Sequence, residues 1–187
     1  MKTEFPDLTE RVAMVTGASR GLGQYFARAL ACAGADLIIT SRNKESLQPF
    51  AAEIRHPGRR VEALELDVRS YESIQNMANA AHAAFGKIDI LINNAGCNVR
   101  KRALDITWDD WNLVLDTNLR GTFFVSQAIA NYMSKARYGR IIVTIQLLEA
   151  KYRTNVRDSG NSKSLSRSQV WERKKTIIFR ESLARKF

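Results

Sequence analysis

The stretch VAMVTGASRGLG, residues 12–23, decides how this chain folds. Its first half is a short apolar run, which is typical of a strand buried in a sheet. Its second half carries glycines at positions 17, 21 and 23, and residues 24–34 then show helical spacing and end in Gly34, suited to a left-handed cap. The stretch therefore predicts a strand, a tight glycine turn and a helix as the first structural unit.

The same alternation continues along the chain. Four further strands are predicted: a buried one at 36–40, an alternating one at 61–66, and two more at 88–93 and 140–145. Helices are predicted between them, at about 44–55, from 70 to 86, from 107 onward and over 118–135. Strands and helices of these lengths form right-handed βαβ units, so we expect an α/β fold with a doubly wound, Rossmann-like parallel sheet. Its ligand crevice should lie beyond the carboxyl ends of the strands.

Polar residues mark where several of these helices begin. Asn43 can cap the second helix and Ser70 the third, because their side-chain oxygens can accept from the first free N–H groups. Thr107, followed three residues later by Asp110, has the spacing of a capping box.

The regular pattern stops after Ile145. Residues 146–187 hold 11 Lys or Arg against four Asp or Glu, so they carry +7 of the chain's net charge of +10. We therefore divide the chain into a Rossmann-like domain, 1–145, and an atypical basic C-terminal segment, 146–187. The sheet is expected to be C-terminally incomplete, with its fifth strand at an edge. The segment is expected to be irregular, or helical where apolar residues recur every four positions, at Phe179, Leu183 and Phe187.

Composition narrows the class of protein. A chain of 187 residues suits one domain, and no apolar run approaches the 18 residues of a membrane span. The charged start MKTEFPDLTERVAMV lacks the apolar block of a signal peptide, so the cytoplasm is the expected compartment. Cys32 and Cys97 form no metal or redox spacing. We expect no metal site and no nucleic-acid or membrane partner.

The glycine turn and the second strand indicate a dinucleotide. Glycines between a strand and a helix let the backbone approach a phosphate, and the helix start directs N–H groups at the anion. Proteins that bind NAD often place a carboxylate beyond the second strand, for the ribose 2′-OH. This chain has Ser41 and Arg42 there, with Arg20 in the glycine turn as a second cation. Guanidinium groups suit an added 2′-phosphate, which favours NADP over NAD; the alternative is that Arg42 only faces solvent.

Four motifs together resemble the short-chain dehydrogenase/reductase family over about residues 8–145. They are TGASRGLG at 16–23, DV at 67–68, NNAG at 93–96 and DTNLRG at 116–121. The resemblance implies hydride transfer between NAD or NADP and a small-molecule carbonyl or alcohol. It also implies the pyrophosphate contacts, which are Gly17, Ser19, Arg20, Gly21, Leu22 and Gly23. Asp67 and Val68 would border the adenine, Asn93, Ala95 and Gly96 would line the floor, and Asn118 would support a catalytic lysine through water.

The chain departs from the family pattern after the fifth strand. The family has a Ser there and then a Tyr followed four positions later by a Lys, whereas residues 145–148 are Ile-Gln-Leu-Leu and no tyrosine of the chain has a lysine at that spacing. Tyr152 beside Lys151 is the nearest candidate. The sequence thus leaves open an impaired oxidoreductase, an inactive dinucleotide-binding module or a binder of acidic partners through the basic tail. An altered reading frame near Ile145 would give the same pattern, and an incomplete sheet could form a homo-oligomer.

Overall fold

The strands and helices alternate as the sequence predicts. The computed structural model describes residues 7–55, 58–144 and 176–177. The strands are β1 (Val12–Val15), β2 (Asp36–Ser41), β3 (Val61–Glu65), β4 (Ile90–Asn93), β5 (Arg140–Thr144) and β6 (Thr176–Ile177). The helices are α1 (Leu22–Cys32), α2 (Gln48–Ile54), α3 (Tyr71–Phe85), α4 (Trp108–Leu115) and α5 (Thr122–Lys135). Short 3₁₀ turns occur at Glu45–Leu47 and Ala103–Asp105.

The sheet has the order β3-β2-β1-β4-β5-β6, and its first five strands run parallel. The chain winds outward from β1 to β3 and then crosses back to β4, so the strand order reverses between β1 and β4. Val15 pairs with Ile39 on one side and with Ile92 on the other. In such a doubly wound sheet the ligand crevice lies at this reversal, beyond the carboxyl ends of the two strands.

The sheet edge differs from the expectation. β6 pairs antiparallel with β5, through Val143 with Ile177 and Thr144 with Thr176, so β5 is not the edge strand. Where the sequence suggested an irregular or helical tail, its described part is therefore extended. The physical reason is that an edge strand presents a row of unpaired N–H and C=O groups, which take up an extended partner. The rest of the tail, with the apolar series from Phe179 to Phe187, lies outside the described residues.

The core lies on both faces of the sheet, as a parallel sheet requires. Because successive side chains of a strand point to opposite faces, Ala13 and Val15 contribute to one apolar cluster while Val12 and Met14 contribute to the other. The first cluster packs under α1 and α2, through buried residues that include Ala27 and Phe50. The second packs under α3 and α5, and its buried helical residues include Ile74, Met77, Val125 and Ile129.

Most helix ends follow the predicted signals. Ser70 accepts a hydrogen bond from the Ser73 N–H, and α3 ends at Gly86 with φ 73°. Asn43 caps the turn before α2 by accepting from the Ser46 N–H at 3.1 Å. One helix differs: the predicted start at Asn118 lies inside a π-helical segment, Asp116–Gly121, which joins α4 to α5. Within the described residues, no helix is both long enough and apolar enough to cross a membrane.

The capping box at the start of α4 surrounds the Asp110 carboxylate with hydrogen-bond donors. The Thr107 side chain accepts from the Asp110 N–H, and the Asp110 carboxylate accepts from the Thr107 N–H and hydroxyl. Lys101 donates to the same carboxylate. These contacts, first the Lys101 ammonium and then Thr107, lower the pKa of Asp110 from 3.8 to about 2.

We expect Asp110→Asn to flatten the pH dependence of stability on the acid side. Because the folded pKa lies below the unfolded one, the carboxylate stabilises the fold above about pH 4, and this contribution is lost as the pH falls through about 2. Urea unfolding midpoints measured between pH 6 and pH 2, roughly the window of the shift, test this. Asp109→Asn, a change at the neighbouring exposed carboxyl, is the control. An unchanged acid slope in Asp110→Asn contradicts the prediction.

Candidate functional site

The glycine turn lies at the carboxyl end of β1 and faces the loop after β4. Gly17 has φ 66° and Gly21 has φ 60°, in the left-handed region that glycine adopts without strain. A Cβ on Gly17 would lie 2.8 Å from the Cα of Ala95, and a Cβ on Gly23 would overlap the carbonyl oxygen of Gly17. The close approach of turn, helix and neighbouring loop therefore requires glycine at positions 17 and 23.

Thr16 and Asn94 lock the two sides of the crevice together. The hydroxyl of Thr16 accepts from the backbone N–H groups of Asn94 and Ala95, both at 2.9 Å. The Asn94 side chain donates back to the carbonyl oxygens of Thr16, at 3.1 Å, and Gly17, at 3.2 Å. Both residues lie within the motifs at 16–23 and 93–96, but no separate role was predicted for either of them. The partners of each side chain lie on the neighbouring loop, on the other side of the reversal between β1 and β4. A single sequence does not show that these two loops are neighbours.

The turn leaves open space in front of α1. Nothing lies within 4 Å of a Cβ built on Gly21, and Ser19, Arg20 and Leu22 are exposed with it. Gly21 is the N-cap of α1, with no side-chain cap and no acidic residue in the first turn. The free N–H groups and positive dipole of this helix start therefore suit a phosphate.

The end of β2 carries the predicted 2′-phosphate residues. Ser41 is buried, and its hydroxyl accepts from the Asn43 N–H at 3.2 Å and donates to the Asn43 carbonyl, so it shapes the turn. Arg42 and Arg20 are both exposed. Within the described residues neither guanidinium has an ion-pair partner. These two cations are therefore available to an anion at this end of the sheet.

Asp67 and Val68 follow β3 at the same edge. The Asp67 carboxylate accepts from the Arg69 N–H at 3.0 Å and from the Arg69 guanidinium at 3.4 Å. Partial burial raises the pKa of Asp67, but the Arg69 N–H, the Arg69 guanidinium and the charge of Arg42 together hold it below its usual value. Val68 is buried against the π-helical segment, where a Cβ on Gly121 would lie 2.7 Å from the Val68 carbonyl oxygen.

Asn118 fixes the loop after β4. Its amide oxygen accepts from the Cys97 N–H at 2.8 Å, and its amide nitrogen donates to the Cys97 carbonyl at 2.9 Å. The same loop is close to Asn118 at Gly96, where a Cβ would lie 3.2 Å from the amide oxygen. The π-helical segment thus places Asn118 against the predicted floor of the crevice.

Asn93 supports this floor from inside the protein. Its side chain is only 3% exposed and donates to the Ser126 hydroxyl at 2.8 Å. Its carbonyl accepts from the Thr144 hydroxyl at 3.3 Å. Asn93 therefore connects β4 with α5 and β5, beneath Ala95 and Gly96.

The positions expected to hold the proton-transfer residues lie outside the described residues. β5 ends at Thr144, and residues 145–175, with Tyr152, follow it. Across the parts of the chain that the structure describes, no group of three His, Cys, Asp or Glu side chains could hold a metal ion.

Thr40, at the end of β2, has a buried hydroxyl that finds no hydrogen-bond partner within the described residues. Its backbone carbonyl accepts from the Ala18 N–H at 2.9 Å, which ties β2 to the glycine turn. Thr40 and Thr16 are both fully buried at neighbouring strand ends. Within the described residues, the Thr16 hydroxyl has hydrogen-bond partners and the Thr40 hydroxyl has none, so the same substitution can be compared at the two positions.

The parallel sheet brings the glycine turn, Arg42, Asp67 and the NNAG loop to one edge, and this arrangement defines a Rossmann-like α/β protein. The family model of the short chain dehydrogenases matches residues 11–156, past the fifth strand. The chain therefore belongs to the short-chain dehydrogenase family.

Curated relatives match the same part of the chain. The 3-oxoacyl-[acyl-carrier-protein] reductase FabG of Escherichia coli is 36% identical over 132 residues, which are 71% of this chain and 53% of that protein. The short-chain reductase protein NovJ of Streptomyces niveus is 37% identical over 140 residues, 75% of this chain and 53% of that protein. The chain thus spans about half the length of the curated relatives it matches.

Solved structures share the fold. A metagenomic short-chain oxidoreductase in complex with NADP has a TM-score of 0.71 and 34% identity, covering 76% of this chain and 65% of that chain. A short-chain type dehydrogenase/reductase from Mycobacterium marinum has the same TM-score and identity, covering 74% of this chain and 55% of that chain.

Valine substitutions at Thr16 and Thr40 should have opposite effects. We expect Thr16→Val to lower the free energy of unfolding by about 1–3 kcal/mol, because it leaves buried N–H groups without their acceptor. Thr40→Val should be neutral or stabilising by up to about 1 kcal/mol, since it removes a buried hydroxyl that has no partner. Urea unfolding of both variants measures the difference. A loss in Thr40→Val as large as that in Thr16→Val contradicts the prediction.

Proposed function

We propose that this chain binds NADP(H) in the crevice between the ends of β1 and β4, as the cofactor-binding part of an oxidoreductase. Its substrate would be a small-molecule carbonyl or alcohol. The observation that carries the proposal is the glycine turn, which Thr16 and Asn94 lock to the NNAG loop and which leaves the start of α1 open at Gly21. A relative solved in complex with NADP supports it.

The size and polarity of the residues at the crevice fit the parts of the cofactor. Gly17 and Gly23 leave no room for side chains where the backbone must stay close, and Gly21 leaves the space in front of the helix N–H groups for a pyrophosphate. Asp67 and Val68 would border the adenine, with Ala95 and Gly96 along the floor and Asn93 beneath. NADPH, when bound, supplies the hydride; the protein's part is to hold the nicotinamide in one orientation beside the substrate.

The cation pair Arg20 and Arg42 favours NADP over NAD. The end of β2 carries no carboxylate for a 2′-OH, and guanidinium groups pair well with a phosphate. Both guanidiniums are exposed, so they can meet a phosphate without breaking an ion pair with another described residue. NAD binding is the alternative.

Proton transfer is the part of the reaction for which this chain lacks the family residues. A free tyrosine hydroxyl has a pKa of about 10, and a nearby ammonium is needed to bring it toward neutral pH. The chain has no Tyr with a Lys four positions on and no hydroxyl residue at 145–148. We therefore propose slow turnover for this chain. The second candidate function, favoured by the same observation, is a dinucleotide-binding module without catalysis.

We also propose that the protein is a cytoplasmic homo-oligomer. The segment from α4 to α5 exposes large apolar side chains, with exposures of 78% at Trp108, 57% at Trp111, 64% at Leu119 and 59% at Phe123. Large apolar side chains that are exposed on one segment favour association between protein molecules.

NADPH should bind, and its oxidation should be slow. Fluorescence titration with NADPH tests binding, and absorbance decay with a panel of aldehydes and ketones tests turnover. We expect saturable binding with rates at least about a hundredfold below those of an intact relative, since a positioned general acid contributes about 10²–10⁴. Binding with no turnover above background selects the binding module. Absence of binding by both NADPH and NADH contradicts the proposed function.

Arg42→Ala should remove the preference for NADPH. A hydrogen bond between charged groups contributes about 1.5–3 kcal/mol, so we expect the Kd for NADPH to rise about tenfold to a hundredfold and that for NADH to stay unchanged. Both constants come from the same fluorescence titration. Arg102→Ala is the matched control, because Arg102 is an exposed arginine that pairs with Asp105. An equal rise in both constants contradicts the role of Arg42.

A further inference from the structure

Arg69 is the only residue shown to contact both oxygens of the Asp67 carboxylate within the described part of the chain. Its backbone N–H donates to one oxygen at 3.0 Å, and its guanidinium donates to the other at 3.4 Å. The two side chains are 42% and 35% exposed, so the pair lies at the protein surface, next to the crevice end of β3. The backbone contact belongs to the turn itself, whereas the guanidinium contact depends on the arginine side chain.

The backbone around this pair is fixed independently of the arginine side chain. The Asp67 N–H donates to the Ser73 hydroxyl at 3.0 Å, and the Asp67 carbonyl accepts from the Ser70 N–H at 3.0 Å. Val68 is packed against Gly121. Removing the Arg69 guanidinium would therefore leave the main chain in place and release only the orientation of one carboxylate oxygen.

A carboxylate held in this way still has acceptor capacity. An ionised Asp offers about four lone-pair positions and no donor. Two of these positions serve Arg69, and the side chain is partly exposed, so another N–H group can reach it. The contacts with Arg69 also keep the pKa of Asp67 below its usual value, so the group is an anion, and only an acceptor, at neutral pH.

We propose that Arg69 is a positioning residue, which orients the Asp67 carboxylate to accept from the exocyclic amino group of the adenine. This inference rests on the proposed function, which puts the adenine at Asp67. Adenine offers an amino donor at that position, whereas hypoxanthine offers a carbonyl oxygen, which a carboxylate repels. The pair Asp67–Arg69 thereby selects the purine by its donor, separately from the selection of the 2′-phosphate by Arg42.

The test compares NADPH with its hypoxanthine analogue, deamino-NADPH, in the full chain. Fluorescence titration gives both dissociation constants for the wild type and for Arg69→Ala. We expect the wild type to bind NADPH about tenfold tighter than the analogue, since the analogue replaces a donor to the carboxylate by a carbonyl oxygen and loses that hydrogen bond. In Arg69→Ala the Kd for NADPH should rise about two- to fivefold, the range of an exposed ion pair, and the Kd for the analogue should not change.

A mutant cycle shows whether Arg69 acts through Asp67. In an Asp67→Ala background, adding Arg69→Ala should have no further effect on the Kd for NADPH, because the group that Arg69 orients is gone. Arg102→Ala is the control for the loss of a surface arginine, and thermal melts confirm that each variant is folded. If Asp67→Ala does not fold, the ratio of the dissociation constants for NADPH and deamino-NADPH in Arg69→Ala decides whether Arg69 orients the carboxylate.

Three results overturn the inference. An equal weakening of NADPH and deamino-NADPH in Arg69→Ala would show a general electrostatic or structural role. Additive losses in the double variant would show that Arg69 does not act through Asp67. Failure of the wild type to bind either dinucleotide would overturn the proposed function, and this inference with it. That outcome is distinguishable from the other two because it is seen in the wild-type titration alone.

Discussion

The crevice depends on the four hydrogen bonds that join Thr16 and Gly17 to Asn94 and Ala95. β1 and β4 are neighbours in the sheet, but the helices that follow them cover opposite faces, so the chain separates at this point. Such a separation leaves backbone N–H and C=O groups unpaired at both strand ends. Thr16 and Asn94 satisfy four of these groups with short side chains, so the two loops lie within hydrogen-bond distance of each other.

This lock also explains why glycine is required at two positions. Gly17 lies within contact distance of Ala95, and Gly23 lies against Gly17, so a side chain at either position would push the two loops apart. On the other side of the crevice, Asn118 holds the NNAG loop at Cys97, and Gly121 lets the π-helical segment approach Val68. Small residues thus act together with side-chain amides to hold three loops in fixed relation.

Signals between residues close in sequence predicted the helices and strands well. Features that depend on residues far apart in sequence could not be predicted. The capping box of Thr107 and Asp110 and the cap at Ser70 were predicted correctly because they depend on residues within a few positions of each other. The role of Asn94 was missed because its partner is 78 residues away. β6 was also missed, since an edge strand accepts its partner through backbone groups that leave no pattern in the sequence. The candidate site could be located from glycine and polar residues at strand ends, but not the contacts that hold it.

The dinucleotide binding proposed for this chain and the proton transfer of the family's reaction depend on different parts of the chain. Every described group proposed to contact the cofactor lies before the end of β5, on loops fixed by the contacts around the β1–β4 crevice. Proton transfer needs a phenol and an ammonium beyond β5, and neither contributes to the lock. The hydrogen bonds of Thr16, Asn94 and Asn118 that hold the loops around the β1–β4 crevice all join residues before β5, so they do not require the segment after β5. The proposed contacts of Asp67 with the purine and of Arg42 with a 2′-phosphate would not depend on catalysis, because both residues precede β5.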